Sequence, residues 1–292
     1  MRTQRPEAAL SEADLHENPL VPNTKLRELY LAMVEARVLD EHRAGRKADG
    51  KKQPRLHSMR GEEACRASTA IDLQSGDLVS DAQPGVTLDL PAGVRVDSLL
   101  PPPSKRSAGG RRVQQAEVRQ LPWIRNSGER LRLAMGAALS LKTLKQGNLV
   151  VAYARQGELG SGEWRKILKI ASRLELPIFF VLLPAAPAKK KPEKKSLRTR
   201  MRSCGVPGIA VDADDAIALY RVAQETYGRI RGGGGPVFME CVAFSLEGPR
   251  RISQSDSIVQ LKQYLLERKV ATLSWLDGAG SDLRLRLEKA SL

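Results

Sequence analysis

Aromatic side chains are scarce here: four Phe, five Tyr and three Trp among 292 residues, 4% of the chain. Hydrophobic residues still make up 41%, so a substantial core is expected, and it must be mostly aliphatic. Cysteine is also rare. Cys65, Cys204 and Cys241 are widely spaced and form no CxxC pair, which argues against a disulfide framework and against a cysteine zinc site. No window approaches the roughly 18 consecutive apolar residues that a membrane span needs. Residues 1–22 lack the apolar stretch of a signal peptide, so a cytoplasmic protein is expected. Negative charge is in short supply. Lys and Arg total 48 against 33 Asp and Glu, giving a formal net charge of +15 and a pI near 10.0.

Such an excess of positive charge suits an anionic partner. Its placement narrows the choice. Lys189, Lys190, Lys191, Lys194, Lys195, Arg198, Arg200 and Arg202 crowd one segment accompanied only by Glu193, and Arg106, Arg111, Arg112 and Arg119 crowd another. These are basic loops at 187–203 and 101–120, not a stripe along a helix. Aromatic residues for base stacking are not interleaved with them, which ranks nucleic acid last among the partners.

Along the chain, residues 1–22 are polar and contain Pro6, Pro19 and Pro22, which predicts a disordered N-terminal segment; residues 23–292 read as one domain. Asn23 or Thr24 is placed to cap a helix in which Leu26, Leu29, Tyr30, Met33, Val34 and Val38 fall at helical spacing. A second helix is expected over 61–73, with a short extended piece at Leu78 and Val79. Residues 84–122, with three consecutive prolines and a Gly pair, read as mostly loop. Ser127 is a candidate cap for a helix over 129–145. Strand and helix then alternate: strands at 148–154, 177–183, 208–211 and 236–244, helices between them, and two or three helices over 257–290. This alternation predicts an α/β fold, a three-layer parallel sheet with helices on both faces. Ligands of such sheets sit outside the carboxyl ends of the strands, which directs attention to the loops after Ala154, Leu183 and Phe244.

Several polar groups have a structural reading beside a functional one. Asp212, Asp214 and Asp215 suit the cap of a following helix better than a metal cluster. Glu62 and Glu63 suit the negative end preferred at a helix start. Gly232 to Gly235 lacks the following helix of a phosphate cradle.

The run Leu56-His57-Ser58-Met59-Arg60-Gly61-Glu62-Glu63-Ala64-Cys65 resembles the His-x-x-x-Gly-Gln-Glu-Ala signature of the alpha subunits of thiamine-diphosphate-dependent 2-oxoacid dehydrogenases. Leu133 to Leu139 resembles that family's helix before its cofactor strand. Leu149 to Pro177, and Gly205 to Asp212 followed by Gly234 to Glu240, resemble its later blocks. The blocks stand in family order from about Leu26 onward. The resemblance implies a thiamine-diphosphate-binding fold, a cofactor held through Mg²⁺, a beta-like partner chain and a lipoyl-bearing acyltransferase.

The same comparison exposes losses. The family's Gly-Asp-Gly register reads Arg155-Gln156-Gly157, its next Asn falls at Gly160, and its Asn-Asn end falls at Pro184-Ala185. Its Tyr-Arg-x-His element reads Asp81-Ala82-Gln83-Pro84-Gly85, and its histidine loop falls in 245–249. The candidate site residues are therefore His57 as the one catalytic-type residue retained, with a cap or packed surface histidine as the alternative. Arg155, Gln156, Gly157 and Gly160 are the vestige of the diphosphate loop, and no metal ligand is assigned. Two readings follow from the resemblance. In one, the chain is an alpha-like subunit that decarboxylates a 2-oxoacid and passes the acyl group to lipoamide, with Arg155 replacing Mg²⁺ at the diphosphate. In the other, it is a non-catalytic scaffold or regulatory paralogue that pairs with a beta-like chain or with itself. Polyanion binding by the basic loops is the third.

Overall fold

A computed structural model describes residues 20–45, 58–83, 119–184, 202–242 and 256–290. Six parallel strands form one sheet: β1 (Leu78–Ser80), β2 (Arg119–Gln120), β3 (Val150–Arg155), β4 (Ile178–Leu183), β5 (Gly208–Asp212) and β6 (Val237–Val242), in the order β2-β1-β3-β4-β6-β5. The helices are α1 (Asn23–Gly45), α2 (Glu63–Ser68), α3 (Ser127–Thr143), α4 (Ser161–Arg173), α5 (Ala216–Arg231), α6 (Ser257–Glu267), α7 (Leu273–Gly278) and α8 (Ser281–Ala290). The three strands read from their apolar runs, β3, β4 and β6, are neighbours, with Val151 opposite Phe179 and Phe179 opposite Val237.

The sheet's two faces build two cores. Side chains alternate across a strand, and β3 shows the consequence: Val151 and Tyr153 enter the core shared with α1, α2, α5 and α6, whereas Val150, Ala152 and Ala154 enter the core shared with α3 and α4. Trp164 of α4 anchors the second core, edge-on to Phe180 at 6.1 Å and Phe238 at 5.3 Å between ring centroids. The first core has its own edge-on pair, Phe179 and Tyr227, 6.0 Å between ring centroids.

The elements differ from the sequence reading in detail. The helix expected over 61–73 is regular only over Glu63–Ser68 and passes into turns, with Ile71 N–H still bonding to Ala67 O at 3.0 Å. Within the stretch 84–122, expected to be mostly loop, Arg119 and Gln120 form the edge strand β2 beside β1. The cap of α3 is Asn126, whose side chain accepts from Glu129 N–H at 3.1 Å, one residue before the expected Ser127. Asp215 caps α5 by accepting from Ile217 and Ala218 N–H, the role read from the sequence. Leu20 to Pro22 are described, and Val21 is fully buried. Among the described residues, no helix is long and apolar enough to cross a membrane.

Candidate active site

Strands β1 and β3 end side by side, with Ser80 paired to Ala152. The rim beyond them is the crevice where a ligand is expected. The period of two places Arg155 on the same face as Tyr153, so its side chain runs toward α2. There it meets Glu62, the residue immediately before α2. Arg155 Nε donates to Glu62 Oε1, and Nη2 donates to Oε2 at 3.1 Å. Glu62 Oε2 also accepts from Arg66 Nε at 2.9 Å, and Arg66 Nη1 donates to both oxygens of Asp81, at 2.7 and 2.9 Å. The result is a chain Arg155–Glu62–Arg66–Asp81 with formal charges that cancel. All four residues are at most 5% exposed. Arg66 also lies over the Tyr153 ring, 5.5 Å from its centroid. Burial pushes the Tyr153 hydroxyl above its ordinary range, opposed by the Thr69 hydrogen bond and the Arg66 charge. Arg155 Nη1 is buried and makes no hydrogen bond among the described residues.

The turn from β3 into α4 carries Gln156, Gly157 and Gly160, the other residues that the resemblance assigns to a diphosphate loop. Gly157 has φ +86°, a conformation that side-chain-bearing residues rarely adopt. Gly160 stands at the cap of α4 without a side chain to cap it. The carboxylates nearby already have partners. Glu158 accepts from Arg130 Nη2 at 2.9 Å and from Ser127 Oγ at 2.8 Å, and Glu163 accepts from Arg132 Nη2 at 3.0 Å.

These residues do not fit a diphosphate held through Mg²⁺. A hard cation needs several oxygen ligands. Position 156 offers an amide, Gly160 has no side chain, and Pro184, at the end of β4, has none that coordinates. Among the described residues, no group of three or more His, Cys, Asp and Glu is placed to hold a metal ion. The Arg155 charge, the cation at this rim for a diphosphate, is already matched by Glu62. His57, the histidine loop at 245–249 and the Lys-rich run 189–201 lie outside the described residues.

Two acidic residues were read as carboxylates at a helix start, and the structure gives them more specific partners. Glu62 belongs to the buried chain. Glu63, fully buried, accepts from Arg37 Nε of α1 and from Gly61 N–H at 2.7 Å, and Arg37 reaches on to Asp256, the cap of α6. Arg37 thus ties α1, α2 and α6 together. Burial raises the Glu63 carboxyl, only partly offset by Arg37. At Asp256 burial also pushes upward, but the hydrogen bonds and charge of Arg37 outweigh it and hold the carboxyl below its usual 3.8. The signs are opposite. The stability from Asp256 is present above pH 3.8 and is lost as pH falls through its depressed value; that from Glu63 is present in acid and fades as pH rises through its raised value. Asp256→Asn keeps a cap oxygen but removes the titration. Thermal melts from about pH 6 down to about pH 2 should therefore show a shallower acid decline in Asp256→Asn than in the parent. Parallel declines would mean the Arg37 pairing has no such effect.

Comparison with known proteins places this rim in context. A model of the family described as the dehydrogenase E1 component matches residues 30–273. The alpha subunit of acetoin:2,6-dichlorophenolindophenol oxidoreductase from Bacillus subtilis is 25% identical over 266 residues, covering 82% of this chain and 80% of that protein. The alpha subunit of the pyruvate dehydrogenase E1 component from Mycoplasma genitalium is 27% identical, covering 82% and 67%. The alpha subunit of 3-methyl-2-oxobutanoate dehydrogenase from Mycobacterium tuberculosis is 26% identical, covering 78% and 63%. This chain belongs to the dehydrogenase E1 component family and is similar to its alpha subunits.

Proposed function

We propose that this chain is an alpha-type subunit of a 2-oxoacid dehydrogenase first component that assembles with a beta-like chain, or with itself, and cannot hold thiamine diphosphate and Mg²⁺ by its own residues. The observation that carries the proposal is the Arg155–Glu62 pair at the cofactor loop: the cation available to a diphosphate is neutralised within the chain. The two complete cores support a folded, assembling subunit, and the relatives named above are all alpha subunits. The chemistry of a bound cofactor in such a family is decarboxylation of a 2-oxoacid followed by acyl transfer to lipoamide. Here the rim residues brace α2 against the strand ends. Under this reading the partner, not this chain, determines whether any turnover occurs.

The reading in which Arg155 replaces Mg²⁺ needs its guanidinium to face an anionic ligand, and its bidentate contact with Glu62 speaks against that. Coexpression with a beta-like chain, followed by chromatography with light scattering, tests the assembly. A defined complex, together with no thiamine-diphosphate-dependent decarboxylation by this chain alone, is the expected outcome. A monomer in both conditions, or turnover by the isolated chain, would contradict it.

A further inference from the structure

Two members of the buried ion chain stand where the family pattern has uncharged residues. In the resemblance described above, Glu62 of Gly61-Glu62-Glu63-Ala64 falls at the motif's Gln, and Arg155 of Arg155-Gln156-Gly157 at its first Gly. One replacement adds a negative charge and the other a positive charge. They are 93 positions apart in sequence, yet the fold joins them through two hydrogen bonds at the end of β3.

Each replacement alone would be costly. A lone guanidinium at 155, or a lone extra carboxylate at 62, would be a buried charge without its match. Together they cancel, and Glu62 is steadied further by Arg66. We infer that Glu62 and Arg155 are one coupled replacement that bars the cofactor from this rim, the guanidinium being committed to the Glu62 carboxylate and not open to a diphosphate. This rests on the reading of the rim as the former cofactor position and adds the residues that shut it.

A consequence separates this inference from simple loss of ligands. Space for a restored ligand exists at Gly160, where an added Cβ would meet nothing within 4 Å. If ligand loss were the whole defect, Gln156→Asp with Gly160→Asn would by itself improve magnesium-dependent binding, even with Pro184 unchanged. With Arg155 and Glu62 in place it does not; both must also revert, because Glu62 left behind would set a carboxylate beside the diphosphate.

Two measurements on the full chain test this. The first is a melting-temperature cycle of the parent, Glu62→Gln, Arg155→Gly and the double variant. The loss in the double variant should be clearly smaller than the sum of the single losses; the backbone effect of the new glycine is common to two arms and cancels. Additive losses would overturn the coupling. The second is calorimetric titration with thiamine diphosphate and Mg²⁺. The variant Glu62→Gln/Arg155→Gly/Gln156→Asp/Gly160→Asn should bind at least about tenfold tighter than Gln156→Asp/Gly160→Asn, a difference of about 1.4 kcal/mol. Equal affinity of the two, or no binding by a folded fourfold variant, would overturn the inference. If the fourfold variant does not fold, the melting cycle decides alone. Binding by the parent would instead sink the proposed function, whatever the cycle shows.

Discussion

Arg66→Ala should be among the most damaging single substitutions in the protein. Arg66 is fully buried and donates to Glu62 and to both oxygens of Asp81. Removing it leaves one carboxylate, Asp81, without the guanidinium that matched it, and weakens the support of Glu62. Breaking a buried ion pair from one side costs about 3–5 kcal/mol, because the remaining charge is stranded away from water. The cation–π contact with Tyr153 disappears as well. Since domains are stable by only about 5–15 kcal/mol, urea denaturation should show a midpoint far below the parent's, or no folded baseline. Asp81→Asn, which keeps the shape and removes the charge, should do less harm. If Arg66→Ala melts within about 1 kcal/mol of the parent, the chain of charges is not the buried structural element described here.

Trp164→Ala should have an effect of similar size for a different reason. The indole is 1% exposed and sits edge-on to Phe180 and Phe238, between α4 and the sheet. Truncation removes apolar contact and leaves a cavity that rigid strand neighbours fill poorly. Such changes cost about 3–5 kcal/mol. The loss should not depend on salt or pH, whereas the Arg66 loss involves charged groups. Retained stability, measured by urea denaturation, would mean that α4 is not held as described. Because α4 follows directly on the turn after β3, a loosened α4 should also raise amide exchange at residues 156–163.

The sheet was legible because its central strands are continuous apolar runs, as in 178–183, which only a strand covered on both faces tolerates. The edge strand β2 was not. Arg119 and Gln120 carry no alternation, and their pairing depends on Leu78 and Val79 of β1, each 41 positions earlier in sequence. The length of α2 was overestimated because Ala64, Ala67 and Ala70 keep helical spacing through the turns that follow it. At the rim, the absent ligands at 156, 160 and 184 could be read directly from the motif register. The ion chain could not, since it joins residues from α2, the end of β1 and the end of β3. The available signal was a pair of opposite charges, Glu62 for Gln and Arg155 for Gly, at two motif positions. Read separately, one looked like a helix-start carboxylate and the other like a substitute for the metal.

The central claim is that the crevice is closed by this chain's own charges. Titration calorimetry of the unmodified full chain with thiamine diphosphate and Mg²⁺, alone and with a beta-like chain, tests it most directly. No saturable heat from the chain alone is the expected result, and heat seen only with the beta-like chain would show that binding needs groups this chain lacks. Micromolar, magnesium-dependent binding by the isolated chain would contradict the account.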